Sequence, residues 1–199
     1  MTVERRAPSR CIRTAPGVRP GMECRAARQR MATLPSPQER VAACDPRIAP
    51  ALAGLKLGAL PPALMDGGRR WWLVEVASEA ELRAVEPDWS AISELAASTE
   101  TMGLCAFARA QSPEDYQLVV RAFVGAPAQF EDAASGAANA TLAAWLAHND
   151  ALPGTGGTYV VSQGREVGFD ARLQLRVDDA GDVWSGGHVR TVVSGEIDW

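Results

Sequence analysis

The segment Ser135-Gly136-Ala137-Ala138-Asn139-Ala140-Thr141-Leu142-Ala143-Ala144-Trp145-Leu146-Ala147 constrains this chain more than any other. Placed on a helix, its apolar side chains fall on every face, so no side is suited to water. A helix of that kind must be surrounded by other elements. Its many alanines make it a thin rod that neighbours can approach closely. The spacing predicts a helix from Ser135 to about Ala147, buried all round.

The flanking sequence supplies strands to surround it. Trp71-Trp72-Leu73-Val74-Glu75-Val76-Ala77 is apolar and rich in strand formers, and reads as a buried strand. Gly103 to Ala110 and Gln117 to Val124 read as two more. After the Gly/Pro-rich break from Pro153 to Gly157 only strands are expected. Ala171, Leu173, Leu175 and Val177 alternate with Arg172, Gln174, Arg176 and Asp178, and Asp182–Trp184 and His188–Val193 supply a last pair. Shorter helices are signalled by their caps. Asp45 before Pro46 opens one through about Leu52, Ser78 with Glu81 forms a capping box, and Asp88 opens a third to about Ala97. The expected fold class is therefore α+β, one complete domain in which a β-barrel or curled mixed sheet wraps a central buried helix.

Charge divides the chain of 199 residues unevenly. Residues 1–40 carry nine arginines against Glu4, Glu23 and Glu39, a formal +6, whereas the remainder is formally −10. Residues 1–44 read as a basic, disordered leader or a remnant of a preceding domain, and 45–199 as the folded domain. The basic arm has no aromatic residue to stack on a base and its arginines form no helical face, which argues against nucleic acid. No apolar run approaches the roughly 18 residues that a membrane-spanning helix requires. Cys11, Cys24, Cys44 and Cys105 lack CxxC spacing or a neighbouring histidine, so neither a zinc site nor a disulfide framework is expected. Reduced thiols and no apolar leader place the chain in the cytoplasm. No metal and no cofactor are called for.

The chemistry is expected where the buried helix begins. A helix N-terminus presents unpaired N–H groups and the positive end of its dipole. Gly136 leaves that turn without a side chain, so a ligand carboxylate can approach the backbone closely. Glu131 and Asp132 stand just before it, able to handle a proton, or, with Ser135, only to cap the helix. The glycines at 154, 156 and 157 lack the lysine and helix of a phosphate loop, no G-x-S-x-G occurs, and His148 and His188 have no partner in sequence.

Arg121-Ala122-Phe123-Val124 followed by Phe130-Glu131-Asp132-Ala133-Ala134-Ser135-Gly136-Ala137-Ala138 resembles the R-x-F-x-P…E-D-P-A-T-G-S-A segment of the PhzF-like phenazine-biosynthesis family. Ser162-Gln163-Gly164-Arg165-Glu166-Val167-Gly168 is similar to that family's S-Q-G-x-x-M-G-R. Gly186-Gly187-His188-Val189 is similar to its closing G-G-x-V strand, and Glu86-Pro87-Asp88 to its "Pro-Asp" helix region. The resemblance covers residues 45–199, and Glu23-Cys24-Arg25-Ala26 is faintly similar to a still earlier strand. It implies the diaminopimelate-epimerase fold of two similar domains with the active site between them. It also implies cofactor-independent isomerisation of a small carboxylate, by proton transfer from a catalytic glutamate.

On that resemblance Asp132 takes a supporting catalytic role, and Glu131, Ser135, Gly136 and Ala137 line the ligand. Ala133 stands where the family has proline, Ser135 where it has threonine, and Ala137 where it has a ligand-contacting serine. Nothing in residues 1–40 resembles the family's catalytic glutamate or its histidine-containing segment. Three readings follow: a PhzF-like isomerase sequence incomplete in its first half, a non-catalytic anion-binding remnant, and a partner subunit completed by a separate first domain or a second copy of itself.

Overall fold

A computed structural model describes residues 25–30, 45–111 and 115–189. The disorder expected of the leader concerns residues that, apart from 25–30, lie outside that range. Arg25–Arg30 forms a strand, β1. The chain then enters two 3-10 turns, Pro46–Ile48 and Pro50–Leu52, in place of one short helix. Pro50 has no N–H to continue the first turn, so a second starts on it. Next come β2 (Ala63–Asp66), β3 (Arg70–Glu75), α1 (Glu79–Arg83) and α2 (Trp89–Thr99). These are followed by β4 (Gly103–Arg109), β5 (Leu118–Val124), β6 (Phe130–Asp132) and α3 (Gly136–His148). The last three are β7 (Thr158–Gln163), β8 (Ala171–Val177) and β9 (Val183–Val189). The caps fall where the sequence put them, with Ser78 Oγ accepting from Glu81 N and Asp88 Oδ1 from Ser90 N and Ala91 N.

These strands form one mixed sheet in the order β1-β9-β8-β7-β5-β4-β3-β2, with β6 paired to β5. The sheet is curled. Helix α3 packs on β8 and β9 from one half of it and on β2 and β3 from the other. It is not a closed barrel, because β1 and β2 stand at its two edges with no pairing between them. The last pair of strands expected over Asp182–Trp184 and His188–Val193 is, as far as Val189, one continuous strand, β9, held on one side by β8 and on the other by β1, while residues 190–193 lie outside the described residues.

The strand period sorts side chains between two cores. Trp71, Leu73, Cys105, Phe107, Val120, Tyr159 and Leu175 point inward to Leu142, Trp145 and Leu146 of α3. Trp72, Val74, Leu104, Ala106, Val119 and Phe123 point outward to Leu82 of α1 and Ile92 and Leu95 of α2. Adjacent tryptophans thus serve opposite faces, and Trp72 Nε1 donates to Thr99 Oγ1 at 3.0 Å. Phe107 meets Trp145 edge to face at 6.0 Å, a favoured aromatic geometry. The thinness of α3 is used: Ala138 and Ala143 are fully buried.

Two outcomes check this packing. Ala143→Leu should destabilise the fold by about 1–3 kcal/mol, because no void exists for the added carbons, and the melting temperature reads it. Cys105 has a thiol that burial pushes up to about 12. Its peptide should stay unmodified when the native protein meets iodoacetamide near neutral pH, and become alkylated only in denaturant, as peptide mass mapping reports.

Candidate functional site

Strand β6 places Asp132 opposite Ala122, and the turn from Asp132 to Ser135 leads directly into α3. Ser135 is the N-cap, extended at φ −86°, and its Oγ accepts from Ala138 N at a long 3.4 Å. Asp132 Oδ1 accepts from Ala134 N at 3.1 Å, which folds the turn. The N–H groups of Gly136 and Ala137 find no acceptor among the described residues. A Cβ built on Gly136 would meet nothing within 4 Å. The first turn of α3 therefore carries two adjacent backbone donors without a described acceptor, at residues that are half-buried.

A side chain from β7 sets the position of that turn. Gln163 is fully buried. Its Nε2 donates to the Asp132 carbonyl at 2.6 Å, and its Oε1 accepts from Ser135 N at 3.2 Å and from Asn139 Nδ2 at 2.8 Å. Asn139 Nδ2 also donates to the Ser135 carbonyl at 2.8 Å. The next residue, Gly164, sits at φ +83°, where a Cβ would lie 2.4 Å from the Ala133 carbonyl oxygen. Only glycine allows β7 to close on the turn so tightly.

Glu131 is committed to an ion pair. Expected beside a ligand, it has both carboxylate oxygens taken by Arg121, Nε to Oε1 at 3.0 Å and Nη2 to Oε2 at 2.7 Å. Both side chains are about 95% buried. Arg121 Nη1 then donates to the carbonyls of Leu82 and Val85 at 3.1 and 2.6 Å, so the pair ties β5 and β6 to the end of α1. Ser135, Gly136, Ala137 and Asp132 do come together at one place. His148 ends α3 and His188 lies in β9, both remote from the turn along their elements. No group of three or more metal-ligating side chains occurs among the described residues.

Gln163, Asn139 and Arg121 are the residues the sequence reading passed over. Gln163 and Arg121 lie inside the segments quoted for the family resemblance. Their side chains gained a role only once the sheet register placed β7 beside β5 and β6.

A curled mixed sheet around a buried helix is the diaminopimelate-epimerase-like α+β fold. The family model of the phenazine biosynthesis-like proteins (PhzC-PhzF) matches residues 22–196, and the chain belongs to that family. No curated protein matches it. Among solved structures it is similar to a PhzF-family phenazine biosynthesis protein from Bacillus anthracis, at 15% identity and a TM-score of 0.56, over 82% of this chain and 55% of that one. A PhzF-family protein from Enterococcus faecalis matches at 19% identity and TM-score 0.56, over 87% and 57%. A predicted epimerase from Pseudomonas aeruginosa matches at 21% identity and TM-score 0.50, over 70% and 48%. The chain thus spans about half the length of the solved proteins it resembles.

The clasp makes a direct prediction. Gln163→Met keeps the volume but strands the Asp132 carbonyl and the Ser135 N–H without partners. Urea unfolding should show a loss of about 2–4 kcal/mol, the cost of leaving such buried groups unpaired.

Proposed function

We propose that this chain carries one half of the site of a PhzF-like isomerase, which shifts a proton on a small carboxylate without metal or cofactor. One observation carries the reading: the Gly136 and Ala137 N–H groups have no acceptor among the described residues, at the start of a helix that is mostly buried, and the Cβ position of Gly136 is open. Such a terminus binds a carboxylate through two backbone donors and the helix dipole. Ser135 holds the cap, and Asp132 stands beside the anion. Asp132 Oδ2 makes no hydrogen bond to a described residue, which leaves it available to steer the substrate or a proton. Glu131 acts by fixing β6 through Arg121 and not by touching ligand.

On this reading a complementing domain supplies the glutamate that moves the proton in the resembled family, which nothing in residues 1–40 resembles. Phe130, Val167 and Phe169 are exposed in the segments next to the turn and the Ser162–Glu166 loop, where a covering partner would bury them. Ala137 in place of the family's ligand-contacting serine favours a second reading, in which the half-site binds an anion without turning it over. In either case the protein works in the cytoplasm and contacts neither nucleic acid nor membrane. Among the described residues, no helix is long and apolar enough to cross a membrane.

Anthranilate, a planar carboxylate of the implied substrate class, tests the reading. Titrated into isotope-labelled protein, it should shift the Gly136 and Ala137 amide resonances first and saturably. Gly136→Leu should abolish the shifts while the fold persists, because the added side chain enters empty space in front of the donors. Saturable binding that survives Gly136→Leu would place the anion elsewhere. Deuterium incorporation from solvent into a small carboxylate substrate, with the complementing domain present, then separates an isomerase half-site from a binding remnant.

A further inference from the structure

The loop that carries Gln163 is itself gripped from the opposite face of the sheet. Ser162 lies one residue before Gln163 and Glu166 three residues after it, and a single side chain on α1 reaches both. Arg83 Nη2 donates to Ser162 Oγ at 3.1 Å and Nη1 to Glu166 Oε1 at 2.7 Å. Its Nε donates to Glu79 Oε1 at 2.8 Å, so the guanidinium is used along its whole edge. Only 16% of the Arg83 side chain is exposed, against 10% for Glu79 and 13% for Glu166.

The grip is reinforced by a second arginine. Arg172 Nη1 donates to the same Ser162 Oγ at 3.3 Å and to Asp170 Oδ1 at 2.6 Å. The Tyr116 ring lies against both guanidinium groups, 5.9 Å from Arg83 and 4.9 Å from Arg172, and its hydroxyl donates to Glu79 Oε1 at 2.8 Å. Burial alone would raise the Glu79 carboxyl, but the Gln111 N–H, which donates to Oε2 at 3.0 Å, together with Arg83 and Tyr116 holds it below its ordinary range. The same α1 whose last carbonyls hold Arg121, and through it Glu131, therefore also holds the Ser162–Glu166 loop. The turn from Asp132 to Ser135 lies between the two grips.

We infer that Arg83 is a positioning residue for the anion half-site, acting through Ser162 and Glu166 on Gln163, and so on the direction of the Gly136 and Ala137 N–H groups. This rests on the function proposed above only where ligand affinity is concerned. The orientation of the helix start is a property of the protein alone. A planar fork that meets three partners at once is not replaced by a lysine, which offers a point charge on a flexible stem. The effect on the site is thus tied to the geometry of the guanidinium and not to its charge.

The experiment compares Arg83→Lys and Ser162→Ala with the core variant Leu95→Ala, which is destabilised but touches none of this network. Ser162→Ala removes one link and leaves both ion pairs of Arg83 intact, so it folds even where Arg83→Lys does not. Expected are displaced amide resonances at Ser135, Gly136 and Ala137, and a displaced side-chain amide of Gln163, in the ligand-free Arg83 and Ser162 variants but not in Leu95→Ala. Anthranilate affinity should fall about tenfold, the worth of one misaligned hydrogen bond. Resonances at the helix start that stay in place in Ser162→Ala and Arg83→Lys, whatever the melting temperature does, overturn the inference. Displaced resonances in a protein whose wild type binds no anthranilate uphold the role of Arg83 and remove the carboxylate reading instead.

Discussion

Burial of α3 on every side is the constraint from which the other features follow. A helix without a polar stripe cannot rest on a surface, so strands from both halves of the sheet close on it and the sheet curls. The inner face is then lined mainly by apolar side chains, and the buried polar side chains Ser135, Asn139 and Gln163 gather at the N-terminal end of the helix. At the C-terminal end Arg109 Nη2 meets the Ala151 carbonyl at 2.8 Å and Nε approaches Glu75 Oε1 at 3.4 Å, a cation where the dipole favours one. At the N-terminal end no cation is needed and two donors remain open. The place proposed for an anion is thus a consequence of how the core is packed.

The outer layer has a different task. Arg121 with Glu131, and Arg83 with Glu79 and Glu166, are buried ion pairs, and such pairs contribute little net stability compared with apolar residues of the same size. What they do supply is geometry. A bidentate guanidinium fixes both the separation and the orientation of what it holds. Both clusters hold backbone on either side of one four-residue turn, β6 before it and the Ser162–Glu166 loop across from it. Apolar packing alone would allow that turn to slide along the end of the sheet.

The helix that organises the fold was legible in the sequence because its composition admits one solution only. The caps at Ser78 and Asp88 were legible because each is a local event within three residues. The misread parts depend on register. Strand β6 is three residues long and two of them are acidic, so its pattern carries no strand signal. Its Glu131 stands opposite Phe123, which puts it diagonal to Arg121 on the same face. A carboxylate free in sequence is thereby committed in space. Gly186-Gly187 reads as a break in isolation, yet pairing on both sides holds those residues extended within β9.

On the proposed reading, recognition at the helix start rests on main-chain N–H groups, which no replacement at Gly136 or Ala137 other than proline removes. A serine-to-alanine change at 137 costs one hydroxyl and leaves the amide in place. The demand on sequence therefore shifts away from the residues that would touch a ligand and onto those that aim the backbone. Gln163 must present a donor and an acceptor at once, a requirement that glutamate, leucine and methionine each fail. Gly164 must adopt a positive φ against the Ala133 carbonyl, and Arg121 must span from Glu131 to the end of α1. A fold shared with solved proteins at 15–21% identity is physically reasonable on those terms. The chemistry of the helix start is carried by peptide groups common to every sequence, and only the few side chains that hold them in place are restricted.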